Sequence, residues 1–121
     1  MPTPRLTATS ITIMAPDQPA LAAFYARLLG EQVTAQEPGW AQLRTGLMTI
    51  NIELEQQWSP PVWPAEPDRQ RSTQHLDILV DDLDAAETWA VECGATRAGV
   101  QPQTDVRVLL DLAGHPFCLF R

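Results

Sequence analysis

The sequence predicts an α+β fold in which two βαβββ modules stand in tandem, their strands forming a mixed, curved sheet that makes a cup with helices on the outer face. Three observations predict it. Short stretches rich in β-branched residues recur with period-two alternation. Two helical stretches each open on an aspartate and close on a glycine, Asp17 to Gly30 and Asp82 to Gly94. Between the halves the chain reads WSPPVWPAEP, residues 58–67, where proline removes backbone donors and enforces a connector. One domain is expected, with module one at about 7–57, the connector at 58–73 and module two at about 74–121.

The elements follow in order. Thr7 to Ala15 (TATSITIMA) reads as a strand. Asp17 caps a helix whose apolar positions Leu21, Phe24, Leu28 and Leu29 keep helical spacing, and Gly30 ends it. Val33–Glu37, Gly39–Thr45 and Leu47–Glu55 read as strands split by Pro38-Gly39 and Gly46. Leu76–Val80 opens the second half. Asp82 caps a helix with Leu83, Ala86, Trp89 and Cys93 on one side. Weak strand character near Thr96–Val100 is followed by strands at Val106–Asp111 and Pro116–Arg121, joined by a turn at 112–115.

Shifting the chain by 65 residues lays Ile13 on Ile78, Asp17 on Asp82, Phe24 on Trp89 and Ile52 on Phe117. Alternation then sorts the side chains. Ile11, Ile13, Ile50, Ile52, Ile78 and Phe117 fall on faces that must bury against the helices. Ser10, Glu53, His75 and Cys118 fall on the opposite faces, and the same shift relates Ser10 to His75 and Glu53 to Cys118. If the halves bend into one cup, these four converge. His, Glu and Cys are ligand types for a divalent transition metal, whereas Ser is a poor one. The plainer reading stands beside it: the polar face of an antiparallel sheet is commonly just hydrated, and a cysteine between phenylalanines is commonly a small core residue. His115 reads as an exposed turn residue. Trp58 and Trp63 can wall a ligand pocket, with Trp40 as a third aromatic, and Arg44 and Arg107 can reach an anion or pair with surface carboxylates.

Composition removes several function classes. With 15 acidic and 8 basic residues and net charge −7, the chain lacks the positive surface that nucleic acid or an anionic membrane requires. No apolar run reaches membrane length, the first residues lack a signal-peptide core, and Cys93 and Cys118 have no framework spacing, so a cytoplasmic protein with free thiols is expected.

The PDQPALAAFYARLLG and HLDILVDDLDAAETWAVECGAT stretches, the SPPVWP loop and the ending DLAGHPFCLFR together resemble the vicinal oxygen chelate superfamily, and within it the small actinobacterial glyoxalase-like proteins. The superfamily holds glyoxalase I, bleomycin-resistance proteins and extradiol dioxygenases. The resemblance covers about Ile11 to Arg121. It implies metal ligands on the first, fourth, fifth and eighth strands, which fall here on Ser10, Glu53, His75 and Cys118; only Glu53 and His75 keep the usual types. It further implies a homodimer. The function expected from all this is a glyoxalase-like protein that sequesters or carries a small planar ligand without firm metal binding, with Ser10, Glu53, His75, Cys118, Trp58 and Trp63 around the ligand and no cofactor. The alternative is an enzyme, a lyase, isomerase or dioxygenase, using a divalent metal on Glu53 and His75 or using these two as acid and base.

Overall fold

The structure is a computed structural model and describes residues 3–121. Its elements are β1 (Ser10–Ala15), α1 (Gln18–Leu29), β2 (Val33–Glu37), β3 (Trp40–Arg44), β4 (Thr49–Leu54), β5 (Asp77–Leu79), α2 (Leu83–Cys93), β6 (Thr96–Arg97), β7 (Val106–Leu110) and β8 (Pro116–Phe120). They form two four-stranded mixed sheets, β1-β4-β3-β2 and β5-β8-β7-β6, each with one parallel pair at its edge, so the βαβββ unit occurs twice. Asp17 and Asp82 cap the helices by accepting from the N–H of Ala20 and Ala85, and Gly30 and Gly94 end them in the left-handed region. The two half-repeats thus start and stop their helices by the same local chemistry.

The helices cover the aliphatic faces of the sheets, as the alternation predicts. Leu21, Tyr25, Leu43, Ile50, Ile52, Leu109, Phe117 and Leu119 are fully buried in one shared core. α1 reaches across the module boundary, where the rings of Phe24 and Tyr25 meet Phe117 of β8 edge-on at 6.1 and 6.3 Å between centroids. α1 also touches α2: Arg27 donates to the Glu92 carbonyl and lies over the Trp89 ring, and Trp89 Nε1 donates to the Leu28 carbonyl. Trp89 consequently lies in the groove between the helices, partly exposed, and Ala90 takes the buried position on α2 that the sequence spacing assigned to Trp89. No strand of one sheet neighbours a strand of the other among the described residues.

Register corrects one equivalence. Thr12 pairs with Asn51, and Asp77 pairs with Cys118. The first members are 65 apart and the second 67, so Cys118 corresponds to Asn51, and Phe117 corresponds to Ile50. Glu53 pairs with Met14, one step further along the same face. The offset grows in two steps, because the loop at 98–105 replaces the two-residue turn Pro38-Gly39 and the five-residue turn 111–115 replaces the four residues 45–48. A uniform shift could not detect it, because an even error preserves the side of the strand.

Tyr25 is the chain's only tyrosine and is buried, with its hydroxyl donating to Asp111 Oδ2 at 2.5 Å. Burial first, then the Asp111 charge and the hydrogen bond, hold the phenol well above its ordinary value of 10.0. The contribution is intact below pH 10.0; above it the unfolded chain ionises while the folded one does not, so stability falls as pH rises toward the folded value. The chain contains no lysine to obscure this range. Cys93 and Cys118, both raised above 9.0, add a decline that begins earlier. Phenolate absorbance is therefore expected to appear only with unfolding, and Tyr25→Phe is expected to flatten the alkaline limb of a urea-stability profile. A free phenolate step near the ordinary value in folded protein would contradict this.

Candidate functional site

Two features lie side by side at the start of the second module. The first is a trio of ligand-type side chains on the polar face of the second sheet. The Cys118 N–H donates to the Leu76 carbonyl at 2.9 Å, which carries the β5–β8 ladder back beyond the named strand. His75 and Asp77 are two residues apart and share a face, and Asp77 sits opposite Cys118 in register. His75 Nε2 lies 3.1 Å from Asp77 Oδ1, with both side chains about half exposed, so the pair stabilises the fold little. One ligand atom each from His75, Asp77 and Cys118 fall within 4.8 Å of one another. Burial pushes the Cys118 thiol up, and the Asp77 charge adds to it, so without a cation the sulfur stays protonated at neutral pH and is a weak nucleophile.

The second feature is a cavity of about 230 Å³ at the seam between modules. β1 forms one wall, the segment from Gln70 to Leu76 another, and Trp58, Tyr25 and His115 close it. Its shape rests on the connector and on the β7–β8 turn. Trp58 Nε1 donates to the Ala113 carbonyl at 3.1 Å, and its ring meets His115 edge-on at 4.9 Å. His115 Nε2 stands 2.7 Å from the Met14 carbonyl. A carbonyl can only accept, so Nε2 carries a proton and donates it to that carbonyl. Asp111 organises the turn from below: its Oδ1 accepts from the N–H groups of Ala113 and His115 at 2.9 and 3.0 Å, while Oδ2 holds Tyr25. Gly114 packs so closely on Pro60 that a Cβ there would stand 3.0 Å from the Pro60 Cβ.

The residues singled out from sequence are distributed as follows. His75 and Cys118 come together, joined by Asp77. His75 also lines the cavity with Trp58. Ser10 and Glu53 sit exposed on the other sheet, paired with Thr49 and Met14 at opposite ends of the β1–β4 ladder, about 13 Å apart at strand rise. Ser10 and Glu53 thus stand apart from each other, and Glu53 is not in the ligand-type group that His75 forms with Asp77 and Cys118. Between them Gln42 Nε2 donates to Asn51 Oδ1 at 3.0 Å, so that face carries an amide pair in place of ligands. Trp63 lies outside the cavity, partly exposed, and Arg107 is engaged by Asp84 at 3.1 Å. Of the residues sequence reading missed, Asp77 was detectable from its two-residue spacing to His75. His115, read as an exposed turn residue, is half-buried at the seam. Arg71, Tyr25 and Asp111 gave no local signal.

Two βαβββ units with buried aliphatic faces and ligand-type residues on a polar face define a protein of the vicinal oxygen chelate class. The chain belongs to the glyoxalase-like domain family, whose model matches residues 10–120. No curated protein matches its sequence. Among solved structures it is similar to a glyoxalase/bleomycin resistance protein/dioxygenase family enzyme from Burkholderia phytofirmans, with 21% identity, TM-score 0.71, and coverage of 92% of this chain and 94% of that one. It is also similar to lactoylglutathione lyase from Agrobacterium tumefaciens, with 16% identity, TM-score 0.63 and coverage of 98% and 95%. A third is the fosfomycin resistance protein FosX from Listeria monocytogenes, solved as a mutant with Mn(II) and a dihydroxypropylphosphonic acid, with 13% identity, TM-score 0.70 and coverage of 94% and 88%. At such identities the likeness is one of fold. Among the described residues no helix is long and apolar enough to cross a membrane.

Proposed function

We propose that this glyoxalase-like protein binds a small planar molecule in the seam cavity without firm metal binding, and does so in the cytoplasm. The observation that carries this is the cavity itself: about 230 Å³, with Trp58, Tyr25 and apolar side chains of β1 as walls, and polar side chains drawn mainly from the segment Gln70 to His75. That combination suits a flat apolar body held in one orientation. Isothermal calorimetry with 2-naphthamide is expected to give one site per chain. Trp58→Ala should weaken it by about tenfold, in the range a buried aromatic wall contributes, and Trp58→Phe should keep most of the affinity. Absence of binding to the parent protein would end the proposal.

A second reading, a metal-assisted enzyme, is favoured by the trio. Of the set implied by family resemblance, His75 and Cys118 are grouped and Glu53 is not. His75, Asp77 and Cys118 fit better, offering three donors of nitrogen, oxygen and sulfur with an open side, the pattern of a zinc-type site. A metal held there would supply Lewis acidity toward a ligand oxygen. Cobalt(II) should then give a thiolate charge-transfer band that Cys118→Ser abolishes; no band in the parent protein removes this reading.

Among the described residues no strand or helix packs on the polar face of either sheet, which supports a homodimer in which the first-module face of one copy lies opposite the second-module face of another. Light scattering should then return about twice the 13.4 kDa of one chain.

A further inference from the structure

We propose that the seam cavity selects an anion, a planar carboxylate anchored by the Arg71 guanidinium. The inference rests on the ligand-binding reading above and names its substrate class. The chain carries 15 acidic residues against 8 basic ones, yet no aspartate or glutamate lines this cavity, while Arg71 and both of the chain's histidines do. A surface of net charge −7 repels anions at a distance, and screening confines that repulsion to about 8–10 Å at ordinary salt. An anion that reaches the seam therefore meets the Arg71 side chain and no lining carboxylate. Asp77 pairs with His75 and Asp111 with the Tyr25 hydroxyl, and neither lies on the cavity wall.

Arg71 is placed for the role. None of the ion pairs among the described residues involves its guanidinium. Its backbone is fixed by the closed loop of the connector. Val62 N–H donates to the Gln70 carbonyl at 2.8 Å, Gln70 Nε2 donates to the Ser59 carbonyl at 2.9 Å, and Val62 bridges to Arg71. Less ordering entropy is then lost on binding than for an arginine on a free loop. A guanidinium presents two parallel N–H groups that match the two oxygens of a carboxylate. A single such fork, in a cavity whose wall otherwise offers neutral hydroxyls such as those of Thr12 and Thr73, suits a monoanion better than a phosphate dianion. Trp58 and the β1 side chains then face the apolar remainder of the ligand.

The test compares 2-naphthoate with its uncharged isostere 2-naphthamide by calorimetry, on the full chain. The carboxylate is expected to bind at least roughly tenfold tighter, the scale of one charge-assisted contact. Arg71→Gln should remove that preference, with urea unfolding at the parent's midpoint showing that the variant is folded. Arg71→Lys should restore part of it, and Arg44→Gln, on the exposed end of β3, should leave the ratio intact. Equal affinity of the two probes for the parent protein, or a preference that survives Arg71→Gln, overturns anion selection while leaving ligand binding in place. Binding of neither probe overturns both.

Discussion

Phe117→Ala is expected to lower the unfolding free energy by about 3–5 kcal/mol, the range for removing a buried phenylalanine ring. The ring has no exposed surface and sits where the modules meet, with Phe24 and Tyr25 of α1 on one side and its own sheet on the other. Phe24 and Tyr25 also meet each other at 5.0 Å, so the three rings form one cluster spanning both halves. A cavity there cannot collapse cheaply, because its walls belong to a helix of one module and the sheet of the other, which would have to move toward each other. Urea unfolding measures the loss. Because Phe24 and Phe117 touch, a double-mutant cycle should show coupling above about 0.5 kcal/mol. A Phe117→Ala loss below about 1 kcal/mol would mean the modules do not share this core in solution.

Asp111→Ala is expected to cost about 3 kcal/mol, from three hydrogen bonds to one buried carboxylate and the donors left behind. The variant leaves the Tyr25 hydroxyl and two backbone N–H groups without their acceptor. It also frees the turn that places His115 and the Ala113 carbonyl beneath Trp58, so 2-naphthamide affinity should fall although Asp111 does not line the cavity. Asp111→Asn keeps one carbonyl oxygen as acceptor and should lose about half as much stability. Urea unfolding and calorimetry report the two effects separately. A variant as stable as the parent would show that Tyr25 and Asp111 do not meet.

Much of the fold was legible in the sequence for local reasons. Asp17 and Asp82 each satisfy a helix N-terminus, Gly30 and Gly94 each take the left-handed turn that ends a helix, and β-branched alternation marks the strands; all of these act within a few residues. The faces of the strands were legible too, because period two survives an error of two in alignment. The pairing of Glu53 with Cys118 failed for that same reason: register depends on loop lengths, and the 98–105 loop and the 111–115 turn are both longer than their counterparts in the first half. His75 with Cys118 was recoverable because parallel pairing of β5 and β8 mirrors β1 and β4. Arg71 and Asp111 were not, since their positions follow from where a proline-rich connector and a five-residue turn come to rest against the other module. No periodicity records that.

The absence of any strand ladder between the two sheets has a further consequence. What joins the halves is side-chain packing and a connector of more than twenty residues, so the backbone between Glu66 and Arg69 can be severed without opening a single sheet hydrogen bond. Two polypeptides, each bearing one unit, would then recognise one another through the aromatic cluster and the Trp58 clasp. In that sense the chain is a covalently tethered heterodimer, suited to fragment complementation and to gene fission at that point.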